Sequence, residues 1–299
     1  MTQIMKLTSL RLFLTTIILF FAIGALKAQY LEFEHNDQIR EYIYYSPPNI
    51  QMGAPLVFVL HGYTGDASSI ESYAGMNAIA DQYGFAVCYP RGTVDFRGNR
   101  FWNVGYDFHK GVIVDDVDYL IQLASYLQNQ HKLSSQNTFV TGMSNGGEMC
   151  YLLACESPST FKAIAPVAGM MLQSFFKNCD STIPVSIFEI HGTNDNVNRF
   201  NGDIAGKDGW GAYPDIPFTI KYWVKSNGCT STQIDTLPNI NTKDSSYVIS
   251  EKHLNGTNES QVWLYKIING GHDWPGESGN KDFETSRQIW LFFSAFLTE

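Results

Sequence analysis

The chain has 299 residues, 44% of them hydrophobic, with 29 acidic against 20 basic side chains and a formal charge of −9. That length can bury one large core, and the acidic balance argues against nucleic acid or an anionic membrane as a partner. None of the five cysteines shows the C-x-x-C spacing of a zinc or thioredoxin-like site.

Residues 1–28 read as a secretory leader: Lys6 and Arg11, an apolar run over 12–26, and a small residue at Ala28. Removing its three basic residues would take the charge from −9 to −12 and leave residues 29–299 as a single domain. No later segment approaches the length of an apolar membrane span, so no stable membrane partner is expected. Short apolar runs then predict strands at 42–45, 56–60, 86–89, 138–141, 163–167, 185–190 and 262–267. Helix-length segments between them cover 69–83, 115–129, 147–156, 218–226 and 284–297. This alternation predicts an α/β fold, a mostly parallel central sheet with helices on both faces. The glycine- and aromatic-rich stretch 199–217 reads as a long loop near a site, and the polar stretch 229–259 as a surface excursion.

The sharpest signal is Gly142-Met143-Ser144-Asn145-Gly146, a G-x-S-x-G pattern placed between an apolar strand and a helix. In such an elbow the glycines allow a tight strained turn that exposes the serine hydroxyl. The N–H of Asn145 then faces the point where an oxyanion develops. A serine hydroxyl needs a neighbouring base, and in folds with this elbow the acid and then the histidine follow it in the chain. Of the three later histidines, His272 lies in the turn-rich segment Gly270-Gly271-His272-Asp273-Trp274-Pro275-Gly276 and is the candidate base. His253 reads as solvated, and His191, ending a strand, as a loop-holding residue. Asp195, just past a strand, is the candidate acid that would orient the imidazole. Asp203 and Asp215 stand in reserve, and Asp273 should point away from the ring. The loop His61-Gly62-Tyr63-Thr64-Gly65 should supply a second oxyanion donor from the N–H of Tyr63 or Thr64. Asp115 and Asp116 open a helix, where they would anchor a loop. Cys88, inside an apolar strand, reads as a free buried thiol.

Nine segments resemble, in chain order, the secreted esterases grouped as polyhydroxybutyrate depolymerases, with related feruloyl and acetylxylan esterases of the carbohydrate-esterase class. They are the 61–65 loop, Tyr89-Pro90-Arg91-Gly92-Thr93, Trp102-Asn103, Asp115-Asp116-Val117, the serine elbow, Ala165-Pro166-Val167-Ala168-Gly169, His191-Gly192-Thr193-Asn194-Asp195, Asn227-Gly228-Cys229 and the His272 segment. The resemblance implies the α/β-hydrolase fold and carries over Ser144, Asp195 and His272 as the triad. It also implies a Cys155–Cys179 disulfide, leaving the pairing of Cys150 and Cys229 open. Trp102, Trp210 and Trp274, with Tyr63, are candidate substrate contacts; for Trp102 and Trp274 the alternative is packing of the loops.

The expectation is a secreted serine carboxylic-ester hydrolase that needs no metal or organic cofactor. Its first substrate class would be a feruloyl or related ester of plant polysaccharide, and its second a polyhydroxybutyrate oligomer. An acyltransferase or a catalytically silent binding protein is the more distant alternative. Because His272 must be neutral to accept the serine proton, activity should rise with pH. Oligomeric state is not legible in the sequence.

Overall fold

Side chains that alternate along a strand point to opposite faces of a sheet. The all-apolar strand β3 (Leu56–Leu60) therefore serves two cores at once, Leu56, Phe58 and Leu60 entering one and Val57 and Val59 the other. The computed structural model describes residues 29–179 and 182–298, so the leader expected at 1–28 lies outside the described residues.

Ahead of β3 come β1 (Leu31–His35) and β2 (Gln38–Tyr45), which form an antiparallel hairpin. After it the chain forms α1 (Ala67–Ala74), α2 (Met76–Tyr83), β4 (Ala86–Pro90), the small hairpin β5 (Thr93–Val94) and β6 (Arg100–Phe101), and α3 (Asp116–His131). Then follow β7 (Thr138–Met143), α4 (Asn145–Glu156), β8 (Ala163–Val167), α5 (Gln173–Asn178), β9 (Ser186–Gly192) and α6 (Ile216–Asn227). The chain closes with β10 (Ser231–Thr236), β11 (Tyr247–Leu254), β12 (Val262–Ile268) and α7 (Thr285–Ser294). The main sheet has ten strands in the order β1-β2-β4-β3-β7-β8-β9-β12-β11-β10. Neighbours from β4 to β12 are parallel, and an antiparallel hairpin extends each edge.

One face is covered by α3, α4 and α6 through Leu120, Leu123, Met149, Leu153, Ile220 and Trp223. The other is covered by α1, α2 and α7 through Ile70, Ile79, Ile289 and Phe293. On that second face Trp290 stacks on Phe85 with ring centroids 4.0 Å apart, and Phe293 on Phe139 at 4.8 Å. Such pairs typically add about 0.5–1.5 kcal/mol beyond the area they bury. Asp115 caps α3 by accepting the Asp118 N–H, while buried Asp116 pairs with Arg40 at 2.7 Å and accepts the Asn103 N–H.

Three sequence expectations need correction. The helix expected over 69–83 is two eight-residue helices, because Gly75 takes a left-handed conformation (φ +61°) that ends α1 and starts α2. The polar stretch 229–259 contains β10 and β11, which lengthen the sheet. All of β10 except Ser231 is exposed, so it shows neither an apolar run nor alternation. Finally, β1 was not expected, although Leu31 and Phe33, which pack on the core, alternate with exposed Glu32 and Glu34 over its five residues.

Cys155 and Cys179 form a disulfide that ties the end of α4 to the end of α5, whereas Cys88, Cys150 and Cys229 are free. A bridge closing a loop of this size typically contributes about 2–4 kcal/mol. Among the described residues no helix is long and apolar enough to cross a membrane.

Candidate active site

The parallel strands β7, β8, β9 and β12 are neighbours in the sheet, and the loops at their carboxyl ends converge. The first of these turns carries Ser144, at φ 56° and ψ −122°. A non-glycine residue in such a conformation typically costs about 1–3 kcal/mol and persists only where its surroundings enforce it. Two glycines do so here. A Cβ on Gly146 would lie 2.4 Å from the Leu60 carbonyl oxygen, and one on Gly142 would lie 2.7 Å from the Gly146 carbonyl carbon. The ends of β3 and β7 and the start of α4 can meet only without those side chains. The Ser144 N–H also donates to Val167 O at 2.9 Å, fixing the turn to β8.

Close approach of a second pair of loops brings Asp195 and His272 together. A Cβ on Gly192 would sit 2.4 Å from the carbonyl oxygens of both Gly270 and Gly271, and the Asn194 N–H donates to Gly270 O at 2.8 Å. Asp195 Oδ2 lies 2.7 Å from His272 Nδ1, and its Oδ1 accepts the N–H groups of Val197 (2.8 Å) and Asn198 (2.9 Å). A carboxylate on Nδ1 places the proton there and leaves Nε2 as the basic nitrogen. The Asp195 side chain is fully buried and that of His272 is 17% exposed. His272 and Ser144 line one cavity of about 290 Å3, together with Gly62, Tyr63, Ile70, Tyr73 and Met143. No direct hydrogen bond joins Ser144 to His272 among the described residues.

The other acidic residues have separate roles. Asp203 accepts the Asp208 N–H, Asp215 caps α6 through the Phe218 N–H, and Asp273 accepts the Ser278 hydroxyl. His253 pairs with Glu251 at 2.7 Å on the edge hairpin. His191 sits in the core between Glu189 (2.8 Å) and the Asn198 carbonyl (2.7 Å).

Opposite the serine, the Thr64 N–H donates to Arg100 O at 2.8 Å. The N–H of Tyr63 finds no acceptor among the described residues, and neither does that of Asn145, the first residue of α4, which has no intrahelical partner. His61 accepts the Gly92 N–H on Nε2 (3.0 Å) and donates from Nδ1 to Gly62 O (2.8 Å), so its ring is neutral. Burial lowers its pKa to about 4.

The tryptophans separate into two groups. Trp102 and Trp274, expected among the substrate contacts, are instead buried and offer no face to a ligand, so they pack the loops. The Trp102 indole donates to His61 O, and its backbone pairs in both directions with the Asn145 amide. The Trp274 indole donates to Ser286 Oγ, which in turn donates to Ala74 O. Trp210, from the 199–217 loop, is half-buried and packs its ring 5.8 Å from that of Tyr63.

Sequence reasoning missed what lies beneath the elbow. Buried Glu148 accepts the Tyr106 hydroxyl at 2.5 Å and the Asn198 amide at 3.0 Å, and burial raises its pKa to about 7. A lone glutamate in the apolar run after the serine was the available signal.

A doubly covered, largely parallel sheet with a strained serine at the turn from a central strand into a helix places this chain among the α/β-hydrolases. The chain belongs to the family described as esterase PHB depolymerase, whose model matches residues 40–237. It is 28% identical to a bifunctional acetylxylan esterase/xylanase of Neocallimastix patriciarum over 54% of this chain and 22% of that protein. It is 27% identical to a protein named probable feruloyl esterase C of Aspergillus clavatus over 67% of this chain and 65% of that one. The chain thus spans less than two thirds of either relative. An acetyl xylan esterase from Aspergillus awamori shares the fold, with TM-score 0.63 and 18% identity over 89% of this chain and 99% of that one.

Proposed function

We propose that the protein is a secreted serine carboxylic-ester hydrolase in which Ser144 is the nucleophile, His272 the base and Asp195 the acid. The observation that carries this reading is the 2.7 Å contact from Asp195 to His272 Nδ1, with His272 sharing a cavity with a serine in a strained elbow. Ser144 Oγ attacks the ester carbonyl as His272 Nε2 takes its proton, and the N–H groups of Asn145 and Tyr63 receive the oxyanion. The imidazolium then protonates the departing alcohol, and a water activated by the same nitrogen releases the acid. Each oxyanion donor is typically worth about 2.7–4 kcal/mol of transition-state stabilisation.

Feruloyl or related esters of plant polysaccharide are the leading substrate class. The family membership and the feruloyl esterase and acetylxylan esterase relatives support it, as does the Tyr63–Trp210 aromatic pair beside the cavity. Hydroxybutyrate oligomers are the second reading, favoured by the family description and by the apolar cavity walls Ile70, Tyr73 and Met143. Secretion rests on the leader reading of 1–28 and on the disulfide, which suits an oxidising compartment.

The test is a parallel assay of methyl ferulate, p-nitrophenyl acetate and a hydroxybutyrate oligomer with the parent and the Ser144→Ala variant. Ferulate turnover that disappears in the variant supports the leading reading, and oligomer turnover alone promotes the second. Undiminished turnover by Ser144→Ala would refute the mechanism.

A further inference from the structure

Tyr73, at the end of α1, touches two things at once. Its ring is part of the wall of the cavity that holds Ser144 and His272, and its hydroxyl reaches the loop that carries His272. The directions of the hydrogen bonds follow from the donors available. The Trp274 backbone N–H can only donate, and it does so to Tyr73 Oη at 3.1 Å. Ser278 donates its own proton to Asp273 Oδ1 at 2.9 Å, so the short contact between Tyr73 and Ser278 has the phenol as donor. The chain therefore runs one way, from the Trp274 N–H through Tyr73 and Ser278 to the Asp273 carboxylate. Its two loop ends, Trp274 and Asp273, are the residues immediately after His272.

The same stretch of α1 makes a second tie, since Ala74 O accepts the Ser286 hydroxyl that holds the Trp274 indole. Asp273 is flanked closely by two glycines: a Cβ on Gly279 would lie 2.6 Å from its Oδ2 and one on Gly271 would lie 3.0 Å from the same oxygen. The imidazole itself has one protein partner among these contacts, Asp195, which sets its tautomer. The backbone ahead of it is tied to the turn after β9 by the Asn194 N–H on Gly270 O, and the backbone behind it by these ties to α1.

We infer that Tyr73 is a positioning residue for His272. Its hydroxyl holds the histidine's loop against α1, while its ring forms the wall against which the bound substrate rests. One side chain therefore joins substrate binding to placement of the base. The inference rests on the reading of Ser144, His272 and Asp195 as a triad.

The Tyr73→Phe variant keeps the wall and removes the link. Ser278→Ala, at a half-buried position, breaks the same chain one step later and serves where Tyr73→Phe does not fold. Active sites are counted by stoichiometric labelling with a serine-reactive phosphonate, so that kcat refers only to folded, competent enzyme. The expected result for Tyr73→Phe is a kcat per labelled site about tenfold lower, within the range that a sub-ångström misplacement of a reacting group produces. KM should stay within about twofold, because the wall that the substrate meets is unchanged. Ser278→Ala should lower kcat less, and the double variant should be no worse than Tyr73→Phe, since both interrupt one network.

A Tyr73→Phe kcat per labelled site equal to the parent's overturns the inference. So does a rise in KM with kcat unchanged, which would leave Tyr73 as wall alone, or strictly additive losses in the double variant. Ser144→Ala, assayed alongside, separates the two failures: turnover without the serine removes the triad reading and this inference together. An inactive Ser144→Ala beside an unimpaired Tyr73→Phe removes only the inference.

Discussion

Asp195 and His272 meet across 2.7 Å but are held in opposite ways. Asp195 is fixed by its own turn, through the N–H groups two and three residues onward, and its side chain is fully buried. His272 stands on a partly exposed loop that is tied on one side to the turn after β9, through the Asn194 N–H on Gly270 O, and on the other to α1 and α7, through Tyr73, Ala74 and Ser286. A carboxylate that only orients and compensates charge can be set by local geometry. In the proposed mechanism the imidazole must face both the serine and the leaving group, which calls for a backbone held on both sides. Damage to the acid should therefore appear as lost turnover in a stable protein, and damage to the brace as lost turnover together with lost stability.

The largest effect should come from Ser144→Ala, which is expected to lower kcat by about 10⁶, as removal of a triad serine does elsewhere. Steady-state assays alongside a thermal melt would check that the fold is retained. Asp195→Asn should follow, with a loss of about 10⁴ in kcat from the wrong imidazole tautomer and little change in Tm. Asp203→Asn should stay near the parent rate, and the opposite ranking of these two would transfer the acid to Asp203.

Trp274→Ala tests the brace directly. Truncating a buried tryptophan typically costs about 3–5 kcal/mol, so denaturant unfolding should show a clear loss along with reduced turnover. A stable Trp274→Ala protein with altered KM alone would return Trp274 to the substrate contacts.

Two buried ionisable groups beside the site should bound the stable pH range. Folding depresses the pKa of His61 to about 4, so its contribution is complete above about 6.5 and is lost as pH falls towards 4. Folding raises the pKa of Glu148 to about 7, so its contribution is complete below about 4.5 and is lost as pH rises through 7. Each effect is about 3 kcal/mol. The two oppose each other between about pH 4.5 and 6.5, so melts should show the Glu148 decline from about pH 6.5 to 7, and Glu148→Gln should remove it; an equal decline in the variant would count against this assignment. The smallest change should be that of Trp210→Ala, a rise of a few-fold in KM with kcat nearly constant, read from ferulate and acetate kinetics in parallel.

Much of this organisation was legible in the residues. The apolar runs at 56–60 and 163–167 match β3 and β8 without adjustment, because strands buried on both faces must be apolar throughout. The glycines around Ser144 marked the elbow, since only a residue without Cβ allows Leu60 O to approach within 2.4 Å of that position. The sequence also named Asp195 and His272, which the fold brings to 2.7 Å of each other. What the residues could not reveal depends on neighbours distant in the chain. The exposed edge strand β10 exists because β11 supplies its hydrogen bonds. Trp102 and Trp274 stood among the candidate substrate contacts until the fold buried them, and nothing in the sequence marked Tyr73 before α1 was laid beside the His272 loop. Local sequence determined which groups could do chemistry and which turns could present them. Tertiary structure alone decided which groups meet and which are shielded, because contact across the sheet is set by strand order and packing rather than by separation along the chain.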